Sequence, residues 1–287
     1  MPRLSERILY AYARHFPLRS GKMRAVNTLW RHVVKPNDTV RTARLKVGGF
    51  SMKCDLRKIL QRQFYFFGTY FLEEETLNCW REFARNAKMV LDVGANAGIY
   101  SLTALAANPT ATVHAFEPTP ALANRLRETV AVNRLKTLYV HELAVARSTG
   151  GAHLNVWEGE NGSNEGMNFL TDFPKAPVAF PVKTISLDDF CTQQDISRID
   201  LLKLDIQGNE AEALAGAERL FAEHRVGAVF IELNWATSTD TGCPATRSLE
   251  FLSCNCFEFA QPRKHLSFKP AGDWLRGTPE IVAKRKI

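Results

Sequence analysis

Asp92 closes a short apolar run, Met89-Val90-Leu91-Asp92-Val93, and is followed by Gly94-Ala95-Asn96-Ala97-Gly98 before a helix-like segment opens at Ile99-Tyr100. An apolar run of this length reads as a buried parallel strand. Gly94 and Gly98 let the backbone turn sharply and come close to a ligand. A loop that joins the carboxyl end of a strand to a helix N-terminus is where open α/β sheets bind ligands. Twenty-five residues beyond Asp92, Glu117 ends a second apolar run, Val113-His114-Ala115-Phe116-Glu117-Pro118. A carboxylate there can accept both hydroxyls of a ribose.

The loop spacing selects among nucleosides. Gly-x-x-x-Gly lacks one glycine of the dinucleotide fingerprint, and no Gly-x-x-x-x-Gly-Lys-Ser/Thr follows, so neither a pyrophosphate nor an ATP cradle is supported. Asp-x-Gly-x-x-x-Gly suits a ligand without phosphate whose amino-acid end carries an ammonium, with Asp92 as the nearby anion. S-adenosylmethionine is such a ligand. The bland alternative is an ordinary strand–helix turn, and the pairing with Glu117 weighs against it.

Further acids sit at other strand ends. Asp205 closes Ile199-Asp-Leu-Leu-Lys-Leu-Asp205 and reads either as a general base or as a cofactor or helix-capping carboxylate. Glu210, one helical turn on, reads as part of a solvated helix face. Glu232 and Asn234 end the run Val226–Leu233. With Asp205 they make the oxygen-only set that Mg²⁺ takes; a metal is the minority alternative, and no metal ligand is assigned. Of the histidines, His114 reads as core, His141 as a strand-end residue facing the pocket, and His153 as part of a hairpin near a substrate loop. The six cysteines form no Cys-x-x-Cys pair with a downstream His-x-x-x-His, so a zinc site is unsupported. They read as reduced, mostly buried thiols of a cytosolic protein.

A β–α alternation positions these groups. Strands are predicted at 89–93, 112–117, 137–142, 199–205 and 226–233, and helices at 98–107, 119–133 and 208–221. Pro120 falls where proline favours a first helical turn. The rhythm breaks after Ala144. His153–Trp157 and Val178–Val182 alternate as strand edges around the loop composition of Glu158–Gly166, and a long polar loop of this kind closes over a substrate. A helix near Arg247–Ser253 and strands near 256–260 and 280–284 would complete the sheet. Upstream, Ser5–Phe16 and Lys22–Val34 have helical spacing, with Ser5 as N-cap, and Thr42–Asp55 reads as a hairpin turning at Gly48-Gly49. The aromatic run Gln63–Leu72 either fastens the N-terminal segment to the core or roofs the pocket.

Composition narrows the class. The charged and apolar fractions, 23% and 45%, are those of a soluble globular protein. No apolar run reaches a membrane span, and no signal peptide is recognisable. Residues 1–46 carry eleven Lys or Arg against Glu6 and Asp38, so +9 of the +7 net charge sits there and the remainder is about −2. A near-neutral core argues against a nucleic-acid enzyme. The basic segment reads as a solvated helical face, or as a contact for a membrane surface or an anionic substrate.

With these residues in place, the chain resembles the FkbM family of class I S-adenosylmethionine-dependent methyltransferases. The matching stretches are VLDVGANAGIYSL (90–102), AFEPTP (115–120), VNRL (132–135), ELAV (142–145), TISLDDF (184–190) and IDLLKLDIQGNEAEALAGAERLF (199–221). Asn96 and the Lys-x-Asp-x-x-Gly-x-Glu run at Lys203–Glu210 are more specific than the generic loop. The resemblance implies an α/β, Rossmann-like sheet of seven strands, the last inserted antiparallel, with helices on both faces and a helical and hairpin N-terminal extension. Charge and aromatic content, not the resemblance, suggest a division into a basic, aromatic-rich segment, 1–75, roofing the pocket, and a methyltransferase domain, 76–287. It implies cofactor contacts at Asp92, Gly94, Asn96, Gly98 and Tyr100, at Glu117 for the ribose, at Ala144 beside the adenine, and at Asp205 beside the methyl group. Asp205 and Glu232 are the catalytic candidates. The activity implied is O-methylation of a hydroxyl on a sugar, glycolipid or small natural product, with a small-molecule or glycan acceptor; the cysteines and the charge balance add the cytoplasm and no nucleic acid. An N-methyltransferase, against which Asp-Ile-Gln-Gly at 205–208 speaks, and a non-catalytic nucleoside-binding module remain as alternatives. The family's Tyr-Glu pair after a glycine is replaced by Gly68-Thr-Tyr-Phe-Leu-Glu73, leaving open which acid takes that role.

Overall fold

The computed structural model describes residues 3–16, 21–35, 38–156, 168–171, 178–233, 245–263, 265–272 and 280–286. Helices α1 (Leu4–His15) and α2 (Lys22–Val33) lead into a hairpin of β1 (Val40–Arg44) and β2 (Ser51–Asp55), then α3 (Ile59–Phe67), a 3₁₀ turn at Phe71–Glu73 and α4 (Glu74–Ala84). The α/β alternation follows as β3 (Met89–Val93), α5 (Ile99–Ala107), β4 (Thr112–Phe116), α6 (Pro120–Asn133) and β5 (Leu138–His141). A smaller sheet comprises β6 (Ala144–Val145), β7 (Gly150–Val156), β8 (Phe169–Thr171) and β9 (Val178–Ile185), in order β6-β9-β7-β8. The chain then returns through α7 (Leu187–Gln193), β10 (Ile199–Leu204), α8 (Glu210–Ala215), α9 (Glu218–Ala222), β11 (Val226–Glu232), α10 (Ala245–Cys254), β12 (Phe257–Ala260) and β13 (Glu280–Arg285).

The central sheet has seven strands in the order β12-β13-β11-β10-β3-β4-β5. β13 runs antiparallel to both its neighbours, and the pairs joining β11 through β5 are parallel. This is the sheet the resemblance implies, with the terminal strand pair completing it. Successive side chains of each strand face opposite sides: Val90, Leu201 and Phe230 join the apolar cluster on one face, while Leu91, Leu202 and Ile231 join the cluster on the other. The first face is covered by α4, α5 and the N-terminal extension, whose Phe64, Phe66 and Phe67 are fully buried there. The second is covered by α7 to α10. Strand order reverses at β3, so the crevice outside its carboxyl end is a topological switch point.

Two local expectations change. Ser5 does not cap α1; Arg3 holds the N-cap position with no side-chain bond, and Ser5 lies within the first turn. The helix expected over 208–221 is broken at Gly216-Ala217. The Gly216 carbonyl accepts from Asp188 N (2.9 Å), and the Asp188 carboxylate accepts from the amides of Arg219 and Leu220, capping α9 from outside. A side chain at Gly216 would collide with the Ala146 carbonyl. That close approach, invisible in the spacing, sets the break.

Candidate active site

A cavity of about 340 Å³ opens at the carboxyl ends of β3, β4, β10 and β11. Gly94, Asn96, Tyr100, Glu117, Ala144, Asp205 and Glu232 all line it. The loop after β3 is fixed by its backbone: Gly94 N and Ala95 N both donate to the Phe116 carbonyl (3.0 and 2.9 Å). Gly94 is at φ +80°, and a Cβ there would collide with the Asp205 carbonyl oxygen, so only glycine lets the two strand ends close up. Asn96 is at φ +49°, a region asparagine tolerates better than other side chains. Its amide donates to Glu117 Oε2 (2.9 Å), while Thr119 N donates to Glu117 Oε1 (2.8 Å). Glu117 is therefore clamped between two loops with its carboxylate at the cavity wall.

Asp92 and Gly98 lie outside that wall. Asp92 is 1% exposed, and its Oδ2 accepts from Ser101 N (2.9 Å) and Ser101 Oγ (2.6 Å). Burial raises its pKa to about 6 against those bonds. The carboxylate holds the first turn of α5, so it orients the loop rather than facing the cavity. Gly98 is at φ +81°, and a Cβ there would strike Leu126 of α6; its role is packing.

The opposite end of the cavity is a compact set of ionisable groups around Lys203, which is 1% exposed. Lys203 Nζ lies 3.5 Å from Asp205 Oδ2 and 4.7 Å from the Tyr100 ring centroid. Gln207 Nε2 donates to Asp205 Oδ1 (3.0 Å) and to Glu232 Oε2 (2.8 Å), tying the two acids together. Burial alone would raise Asp205, but the Lys203 ammonium and the bonds from Glu232 and Gln207 override it, and its pKa is lowered. Glu232 is pushed well up, first by the Asp205 charge and then by burial. The two carboxyls are therefore pulled apart, Asp205 toward its ionised form and Glu232 toward its protonated one. Tyr100 Oη donates to Glu73 Oε2 (2.6 Å). Glu73 is raised to about 8 by burial and by the nearby Glu280. Glu280 accepts from Thr76 Oγ1.

Glu73 thus supplies an acid from the segment after Gly68, beside Tyr70 on the cavity wall. The aromatic run, with Leu60 just before it, divides between two surroundings. Leu60, Phe64 and Tyr70 line the cavity, while Phe66 and Phe67 pack into the core. The motifs contain Lys203 and Gln207 but assign neither a role, and Glu280 lies in none of them. The signal for Lys203 was present, since a lysine inside an otherwise apolar strand must find buried partners; Glu280 is 75 residues from Asp205 and carried none. Glu210 is not on a solvated face. It is 5% exposed, accepts from the amides of Ile206 and Gly208, and is raised to about 7 by burial. His141 does not face the cavity; it bonds His114 (2.9 Å) and stacks on Phe116. Asn234 and the loop 158–166 lie outside the described residues. Among the described residues, no three His, Cys, Asp or Glu side chains are grouped to hold a metal, and no helix is long and apolar enough to cross a membrane.

A family model described as the methyltransferase FkbM domain matches residues 92–259. The 2-O-methyltransferase NoeI of Sinorhizobium fredii is 28% identical over 148 residues, covering 48% of this chain and 60% of its own. The 31-O-demethyl-FK506 methyltransferase FkbM of Streptomyces tacrolimicus is 30% identical over 158 residues, covering 47% and 61%. The match to each therefore spans about 60% of the relative's length. Among solved structures, the O-methyltransferase from Bacillus cereus in complex with SAH aligns over 96% of both chains at 12% identity, with a TM-score of 0.44.

Proposed function

Starting from the premise that this chain belongs to the FkbM methyltransferase family, we propose that it is an S-adenosylmethionine-dependent O-methyltransferase acting on a hydroxyl of a sugar, glycolipid or small natural product. One observation carries the reading: Glu117 and the Asp205–Glu232 pair line a single cavity on either side of the Gly94 loop. The fit to the cofactor rests on this chain's own chemistry. Gly94 leaves the wall free of side chain, Asn96 and Ala144 border the space, and Glu117, pinned by two amides, offers a carboxylate to a diol. Asp92 would act at one remove, through the loop and α5.

When bound, S-adenosylmethionine supplies an electrophilic methyl group on a sulfonium. The protein must then orient an acceptor hydroxyl, remove its proton and exclude water. Asp205 is the base, because it is the ionised member of its pair. Glu232 holds the other proton and so keeps the pair from carrying two charges, and Gln207 fixes both carboxyls. Lys203 sets the charge of Asp205 from behind. A further carboxylate or phosphate on the acceptor would meet the Asp205 carboxylate, so uncharged polyhydroxyl acceptors fit best. The segment 1–75 acts as a roof, through Leu60, Phe64, Tyr70 and Glu73. The reaction is assigned to the cytoplasm, whose reducing conditions suit the buried thiols of Cys54, Cys79 and Cys191.

Calorimetry with S-adenosylmethionine and with NAD tests the cofactor, and binding of NAD alone overturns the proposal. Transfer of a tritiated methyl group into an extract of glycans, lipids and small molecules tests the chemistry. Label is expected in an alkali-stable methyl ether; alkali-labile label on carboxyls would refute hydroxyl transfer.

A further inference from the structure

We infer that the outward face of α1 is a docking surface for an anionic lipid bilayer. The face lies outside the stretch matched by the family model, which begins at residue 92. α1 buries Glu6, Leu9 and Ala13 against the rest of the extension. On its opposite side Leu4 is 72% exposed and Ile8 61%, in line with Ala11 and His15 at helical spacing, and Arg3 and Arg7 flank them. Phe16, at the end of the helix, is 43% exposed, and Leu29 of α2 is 45% exposed. These four are a large share of the ten exposed large apolar side chains among the described residues, gathered into the first 29 positions. Scattered single exposures would need no explanation; Leu4 and Ile8, one turn apart on one helix face, do.

The charge is sorted in the same direction. Glu6 is turned inward, where it accepts from Arg41 (2.6 and 2.9 Å) and from Tyr65 Oη (3.1 Å). Asp38 is taken by Arg41 as well. Arg3, Arg7, Arg24, Arg31 and Lys35 are exposed, and among the described residues none of them is ion-paired with a carboxylate. Arg24 and Arg31 lie seven apart on the exposed side of α2, and Lys35 follows just beyond its end. On α1 the result is Leu4 and Ile8 beside the unneutralised cations Arg3 and Arg7, the composition of a helix that lies in a lipid interface.

The occupant follows from that pairing. A nucleic acid would satisfy the cations and leave Leu4 and Ile8 facing a phosphate backbone that offers them nothing. A second copy would cover the apolar side chains but set two segments of +9 against each other. An anionic bilayer satisfies both, each surface cation adding roughly fivefold to partitioning. Docking would also reach the cavity wall. Arg14 of α1 donates to the carbonyls of Arg44 (2.8 Å) and Tyr65 (2.9 Å), and Tyr65 belongs to α3, which carries Leu60 and Phe64 to the cavity.

Vesicle co-sedimentation of the full chain tests this without any methyl transfer. The probes are phosphatidylcholine vesicles alone and vesicles with about a quarter phosphatidylglycerol, at low and at roughly tenfold higher salt. Binding is expected only to the anionic vesicles, weakening at least about tenfold at high salt. The double variant L4D/I8D and the double variant R3E/R7E should each lose binding about tenfold or more, with unchanged circular dichroism and melting temperature, since all four side chains are exposed. Equal binding to both vesicle types, no binding to either, or full retention by L4D/I8D would overturn the inference. So would a dimer in light scattering that L4D/I8D abolishes, or displacement from anionic vesicles by equimolar duplex DNA.

Discussion

The most exposing perturbation of the site is Lys203→Met. The side chain is 1% exposed, and its ammonium lies 3.5 Å from Asp205. Methionine keeps most of the volume and removes the charge. At an effective dielectric constant of about 20, a pair at that separation is worth about 5 kcal/mol. Removing one member of a buried pair costs about 3–5 kcal/mol, because the other charge is left uncompensated. The variant should therefore lose about 3–5 kcal/mol at pH 8, a large part of an ordinary domain's stability. The pH dependence gives the sharper test. In the wild type Asp205 has a lowered folded pKa, so its contribution is present above the unfolded carboxylate value and is lost as pH falls through the folded one. Without Lys203 burial dominates and the folded pKa rises, so the variant is most stable when acid and loses stability as pH increases. The gap between the two proteins should narrow markedly from pH 8 to pH 5. Urea unfolding followed by fluorescence of the buried Trp80 measures it. A gap below about 1 kcal/mol at pH 8, or one that does not change with pH, would refute the account of Lys203 as the counter-charge of the site.

Gly94→Ala should abolish measurable S-adenosylmethionine binding in calorimetry and lower the melting temperature, because φ +80° and the Asp205 carbonyl both reject a Cβ; wild-type affinity would show that the loop relaxes freely. Glu117→Gln should weaken cofactor binding about tenfold or more while leaving kcat at saturation within a few-fold, since the amide cannot accept from both hydroxyls through two oxygens; an unchanged Kd would remove Glu117 from the ribose. Glu73 has a folded pKa raised from 4.5 to about 8, so its contribution is complete below the unfolded value and declines as pH rises from about 4.5 to about 8. Glu73→Gln should flatten that part of the stability profile in chemical unfolding, and an unaltered slope would contradict a neutral Glu73 at low pH. Asp205→Asn should lower kcat at least about a hundredfold with a smaller change in cofactor Kd; loss of binding alone would make Asp205 a cofactor ligand and not the base.

The chain's own order of residues settled a good deal. Apolar runs ending in Asp92, Glu117, Asp205 and Glu232 each became a strand, because buried parallel strands need no alternation and their ends carry the loop residues. Gly94 and Gly98 marked the turn because their positive-φ backbone angles are open to few other residues. What sequence could not say is which way a carboxylate points. Asp92 and Glu117 look alike as strand-end acids, yet one is consumed by Ser101 behind the wall and the other is clamped at the cavity. The charge state of the site is likewise tertiary. Glu73, Lys203, Glu232 and Glu280 meet only because the sheet sets β10 and β11 beside one another, places β13 next to β11, and packs α4 across that face. Proton affinity in a buried cluster depends on distances and lost solvent, and neither is written in the spacing of residues along the chain.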